Sequence, residues 1–149
     1  MVGDREYPAH PLVGVGALIY SGGKVLLIKR RFEPNKDRWS LPGGSLETGE
    51  TLEEGCRREV MEELGLKLGA LELFQVSEEI IPDGRGRTRF HFVLVDFLAK
   101  PLGKRVTLNE ESEEFRWVTP REAMRLETTG NTRRIVEKFG REVAGKSRH

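Results

Sequence analysis

The feature that most constrains this chain is the stretch "LPGGSLETGETLEEGCRREVMEELGL", Leu41 to Leu66, where a glycine pair, a polar loop and an acidic helix follow without a break. "TLEE" reads as a capping box, with the Thr51 hydroxyl accepting from the backbone and Glu54 reaching back to the cap amide, and Gly65 ends the helix. With Leu52 at zero on a wheel of about 100° per residue, Cys56, Val60 and Leu64 fall at about 40°, 80° and 120° and form the apolar stripe. Glu63, Glu59 and Glu62 fall at about 20°, 340° and 280° on the same wheel. The acids run along the edge of the stripe and partly into it, whereas a solvated face would lie opposite. Gly55, at about 300°, costs about 1 kcal/mol relative to alanine inside a helix, so a close neighbour is expected on that side.

Carboxylates converging within one helical turn repel and shift one another's pKa values unless cations hold them. An all-oxygen set without His or Cys favours Mg²⁺ or Mn²⁺ over zinc, and Mg²⁺ commonly shares its shell with substrate phosphates. A polyphosphate substrate is therefore expected. Arg58 can pair with Glu50 and hold the acidic edge in place. Gly43 and Gly44 allow a sharp turn or a close approach of backbone to phosphate, and both are candidate substrate-binding residues.

The rest of the chain supplies a frame. "PLVGVGALIY" and "KVLLIKR" are β-rich runs joined by "SGG", a hairpin from Leu12 to Arg30, and "RFEPNKDRWSLPGG" reads as a loop. "LGALELFQVSEEII" and "RTRFHFVLVDFLAK" flank "PDGRG" as a second hairpin. "EEFRWV" is one more strand, "TPREAMRL" a short helix opened by Thr119 and Pro120, and "NTRRIVEKFG" an amphipathic helix. Hairpin-joined strands with inserted helices argue for an α+β or mixed-sheet sandwich over a doubly wound fold. The length of 149 residues fits one domain, residues 1–149, with a frayed tail from about residue 141.

A balance of 25 basic against 24 acidic residues gives a net charge of +1, which excludes binding of nucleic acid or membrane by bulk electrostatics. The single Cys56 forms no internal disulfide and reads as a small core residue; no segment has the apolar length of a membrane span or the pattern of a signal peptide. A cytoplasmic protein acting on a small molecule is expected, as a monomer or homodimer.

The acidic helix and its approach resemble the Nudix box: a glycine, five residues, glutamate, seven residues, Arg-Glu, an aliphatic, any residue, Glu-Glu, any residue, glycine, an aliphatic. Residues 44–66 fill every position with Gly44, Glu50, Arg58, Glu59, Val60, Glu62, Glu63, Gly65 and Leu66. The preceding "RWSLPGG" and the later "FRWV" are similar to the family as well. The resemblance implies an α/β/α sandwich around a mixed sheet and metal-dependent hydrolysis of a nucleoside diphosphate linked to another moiety. It implies Glu59 and Glu63 as metal ligands, Glu62 as a further or water-mediated ligand, and Arg58 with Glu50 as their orienting pair. The family places a catalytic base within the box or on a distant loop, here "LNEESEEFRW", where Glu111 is preferred over Glu110, Glu113 and Glu114 for metal or base duty. Pro82, sixteen residues after Leu66, resembles a mark of ADP-ribose hydrolases, so ADP-ribose, cleaved to AMP and ribose 5-phosphate, is the expected substrate. A nucleoside triphosphate pyrophosphohydrolase is the alternative within the class, and a non-catalytic nucleotide sensor the alternative outside it.

Overall fold

The computed structural model describes residues 5–144. Its seven strands are β1 (Leu12–Ser21), β2 (Lys24–Arg30), β3 (Trp39–Ser40), β4 (Gly43–Ser45), β5 (Glu72–Pro82), β6 (Thr88–Ala99) and β7 (Ser112–Val118). Three α-helices accompany them: α1 (Leu52–Leu64), α2 (Pro120–Ala123) and α3 (Gly130–Phe139). The strands order as β3-β2-β1-β6-β5, with β4 also on β1 and β7 on β2. The sheet is mixed because β1 runs parallel to β6, from Leu12 beside Phe92 to Ile19 beside Ala99, while the other pairings are antiparallel.

Period-2 alternation on the central strands creates two cores. Val15, Ala17 and Ile19 of β1, Leu26 and Ile28 of β2, and Val95, Phe97 and Ala99 of β6 pack with Cys56, Val60 and Leu64 of α1. The intervening Leu18, Val25, Leu27 and Leu98 pack with Ala123 of α2 and Ile135, Val136 and Phe139 of α3. This is the helix, sheet and helix layering expected from the sequence. No helix among the described residues is long and apolar enough to cross a membrane.

Three details differ from expectation. The Leu12–Arg30 hairpin turns through Gly22 and Gly23, both at positive φ as a primed turn requires, but its ladder spans only Tyr20 with Val25 and Ser21 with Lys24. Beyond that point β1 leaves to join β4 and β6, and β2 takes β7 and β3 as partners. The expected loop before Leu41 holds β3, and the glycine pair opens β4; strands of two and three residues carry too few positions to display a period. Of the tail expected to fray from about residue 141, the first part lies in a π-helical turn, Gly140–Ala144, with Val143 half-buried against the α3 core, and residues 145–149 lie outside the described residues.

Helix α1 starts and stops as its sequence dictates. Thr51 and Glu54 form the reciprocal capping box, and Gly65 ends the helix in the left-handed region at φ 66°. Leu52 is 39% exposed, so the buried stripe begins at Cys56, and Glu63, only 3% exposed, lies within it. A side chain at Gly55 would meet Leu46 Cδ1 at 2.6 Å, which explains the glycine: the loop before the helix folds down onto its face.

Candidate metal centre and substrate cleft

Two short elements set the site. β4 is held on β1, with Gly44 opposite Val15, and α1 packs beside it through the α1-side core, so the backbone of residues 43–45 faces the acidic edge of the helix. The Gly43 amide donates to Glu63 Oε2 at 3.1 Å, and Ser112 Oγ at the start of β7 donates to Glu63 Oε1 at 3.1 Å. Gly44 is the floor under Glu59: a Cβ there would lie 2.8 Å from Glu59 Oε1 and nearer still to the rest of the carboxylate. The Gly43 amide, expected to serve a sharp turn or an approach to phosphate, is bonded to Glu63 in this structure. Both glycines nonetheless line the cleft.

Arg58 locks the acidic edge. Its Nε and Nη2 donate to Glu50 Oε2 and Oε1 at 2.6 and 2.9 Å, a bidentate pair, while Nη1 donates to Glu59 Oε1 at 2.8 Å and Nη2 to the Ser45 carbonyl at 3.0 Å. The guanidinium holds the Glu50 carboxyl down to about 2, with the Glu47 amide helping, and the Glu50 carboxylate in turn raises the Arg58 pKa. Glu59 shifts upward because burial outweighs Arg58. Burial pushes Glu63 up to about 7, against the lowering effect of the Gly43 and Ser112 bonds.

Glu111, in the loop before β7, completes a trio: carboxylate oxygens of Glu59, Glu63 and Glu111 all lie within 4.8 Å of one another. Three acids from two separate segments at that separation form a donor set suited to a hard divalent ion, and Glu63 is the member that a cation would have to ionise. Glu62 stands outside the trio. Its side chain is 55% exposed and accepts from Arg58 Nη1 at 3.2 Å, because one residue's rotation along α1 turns it away from Glu63. Glu110 lines the same cleft, while Glu113 and Glu114 are exposed on β7, with Glu114 3.7 Å from Arg116.

The trio lies along a cleft of about 800 Å³ lined by Arg5, Arg30, Arg31, Phe32, Gly43 to Ser45 and Glu110. A smaller cavity of about 110 Å³ shares Arg5, Arg30 and the glycines and reaches inward to Ser40, Asp96, Asn131 and Thr132. Pro82 lines neither; it is exposed at the far end of β5, opposite Thr88, so the sequence mark for ADP-ribose has no contact with either cavity.

Several polar groups here escape a sequence reading. Asp96 Oδ2 accepts from Asn131 Nδ2 at 3.1 Å, Asn131 Oδ1 accepts from Ser77 at 2.7 Å, and burial raises Asp96 to about 6. Ser40 Oγ is buried and has no hydrogen-bond partner among the described residues. An aspartate inside the apolar run "FVLVDFLA" was the available signal, since a buried acid must have a reason. Cys56 is a core residue as expected, its Sγ donating to the Gly16 carbonyl at 3.5 Å.

Comparison with known proteins agrees with this frame. The NUDIX domain family matches residues 10–139. An ADP-ribose pyrophosphatase of Methanocaldococcus jannaschii is 36% identical over 105 residues, 70% of this chain but only 60% of that protein. The nucleoside triphosphatase NudI of Escherichia coli is 30% identical over 131 residues, 83% of this chain and 92% of its own length. Among solved structures, a MutT NUDIX hydrolase from Burkholderia pseudomallei superposes with a TM-score of 0.76 at 32% identity, covering 86% of this chain and 97% of that one. A match that runs from just before β1 to the end of α3, over the same sheet and through the acidic helix, means that this chain belongs to the Nudix hydrolase family.

Proposed function

We propose that the protein cleaves the pyrophosphate bond of a nucleoside diphosphate linked to another moiety, with ADP-ribose, giving AMP and ribose 5-phosphate, as the favoured substrate. The observation that carries the reaction class is the Glu59, Glu63 and Glu111 trio braced by Arg58. These residues fit Mg²⁺ or Mn²⁺, which when bound would neutralise the diphosphate and make water a better nucleophile. Glu63 is fixed from both oxygens by Gly43 and Ser112 and acts as the rigid ligand. Arg58 and Glu50 orient Glu59. Glu111 is the exposed member and accepts the proton of the attacking water. Asp96 and Asn131 take polar edges of the nucleoside in the inner cavity.

The preference for ADP-ribose is supported by the 36% identical archaeal pyrophosphatase, and Pro82 no longer contributes to it. The second reading, pyrophosphohydrolysis of a nucleoside triphosphate, is favoured by the longer match to NudI. A panel of ADP-ribose, ADP-glucose, NADH, diadenosine polyphosphates, dNTPs and 8-oxo-dGTP separates them. ADP-ribose should show the highest kcat/KM, with AMP as product and activity lost in EDTA and restored by Mg²⁺ or Mn²⁺. Faster release of pyrophosphate from a dNTP would select the second reading. Nucleotide binding without turnover of any member would mean a sensor.

A further inference from the structure

Glu111 is the exposed member of the trio, and among the described residues its carboxylate accepts no hydrogen bond. Its place beside Glu59 and Glu63 therefore depends on the backbone that carries it. That backbone is built onto the end of α1. Val106 and Leu108 pack against the α1-side core, and the Thr107 amide donates to the Leu64 carbonyl at 2.8 Å. The Asn109 amide then donates to the Glu63 carbonyl at 3.2 Å. Both carbonyls lie in the last turn of α1, where no helical amide reaches them.

Asn109 also acts through its side chain. Its Oδ1 accepts from the Glu111 amide at 3.0 Å, a bond to the second residue on that turns the chain and that an alanine cannot make. The Glu111 carbonyl accepts from the Arg31 amide at 3.1 Å, one residue before Ser112 joins Arg30 of β2. Ser112 Oγ then closes the segment onto the Glu63 carboxylate at 3.1 Å. The half-buried Asn109 is thus bonded to the backbone of both acids, to Glu63 through its amide and to Glu111 through its side chain.

We infer that Asn109 is a positioning residue, which sets the Glu111 carboxylate against Glu63 by joining the end of α1 to the turn before β7. It acts through Glu111 and not on the substrate. This rests on the reading of Glu111 as the acceptor of the water proton, and an amide-exchange readout separates the two.

The test combines hydrogen exchange, followed by NMR on the full chain in EDTA, with turnover in Mg²⁺. Asn109→Ala should speed exchange of the Glu111 amide by about tenfold, the scale of one hydrogen bond, while the Thr107 amide stays as protected as in the wild type. In turnover kcat should fall by roughly tenfold with KM nearly unchanged, and Asn109→Asp, which keeps an oxygen acceptor in place, should bring both readouts to within about threefold of the wild type. In a Glu111→Gln background, Asn109→Ala should lower kcat further by less than about twofold, because the two changes remove one function. Unaltered Glu111 exchange in Asn109→Ala, or its full loss of kcat on top of Glu111→Gln, would overturn the positioning role. Faster Glu111 exchange in Asn109→Ala together with an unchanged kcat in Glu111→Gln would uphold the turn and overturn proton acceptance by Glu111 instead.

Discussion

The Gly43 amide and the Glu63 carboxylate meet at 3.1 Å, so a three-residue strand fixes a buried acid on the helix beside it. That bond does not compensate for burial, and Glu63 stays up at about 7. The folded protein therefore binds a proton more tightly there than the unfolded chain, whose carboxyl titrates near 4.5. Between those values the unfolded chain carries fewer protons, so the unfolding free energy falls as pH rises. Denaturant unfolding in EDTA should show lower stability at pH 8 than at pH 5, by up to about 3 kcal/mol from this group. Glu63→Gln should remove most of the decline, leaving the part due to Asp96, and Mg²⁺ should stabilise the wild type more at pH 8 than at pH 5. A wild type equally stable at both pH values would contradict the buried-acid account.

Gly44→Ala places a methyl group where the Glu59 carboxylate lies. The carboxylate is the mobile party, so the fold should persist while the ligand is displaced. Turnover should fall by about 100-fold, the scale expected for a misplacement of about 1 Å, with an unchanged far-UV CD spectrum. Near-normal kcat/KM in the folded variant would show that Glu59 does not need its present position.

Much of this was legible in the sequence because helices and caps announce themselves locally. The wheel put Glu63 inside the apolar stripe of α1, and there it is buried; Thr51, Glu54 and Gly65 bound the helix as read. What stayed hidden depends on contacts between distant segments. Ser112 lies 49 residues from Glu63 and Asn131 lies 35 from Asp96, so neither pair leaves a periodic trace. The parallel pairing of β1 with β6 was hidden for the same reason. Pro82 was picked by counting positions, and the fold puts it at the end of β5, outside the lining of both cavities.

Within the loop before β7, Glu111→Gln should reduce kcat by at least about 100-fold, the scale of a lost general base, whereas Glu114→Gln on the exposed strand should change it less than about threefold. Rapid-quench turnover with saturating Mg²⁺ measures both. Equal losses in the two variants would mean that the acidic loop acts only through its overall charge.

Gly55→Ala exchanges a helix-propensity gain of about 1 kcal/mol against overlap with Leu46 at 2.6 Å. Overpacking of this kind costs about 1–3 kcal/mol, so the net change should be a modest loss of stability, read as a lower denaturation midpoint. A stabilised variant would mean that the loop before α1 yields freely.

The central claim is that Glu59, Glu63 and Glu111 hold one divalent ion while Glu62 does not. Mn²⁺ binding followed by electron paramagnetic resonance tests it most directly, on wild type and on Glu59→Gln, Glu63→Gln, Glu111→Gln and Glu62→Gln. Each of the first three variants should weaken Mn²⁺ binding by roughly tenfold or more, and Glu62→Gln should leave it within about threefold of the wild type. Loss of affinity in Glu62→Gln equal to that in Glu63→Gln, or undiminished binding in Glu63→Gln, would contradict the assignment.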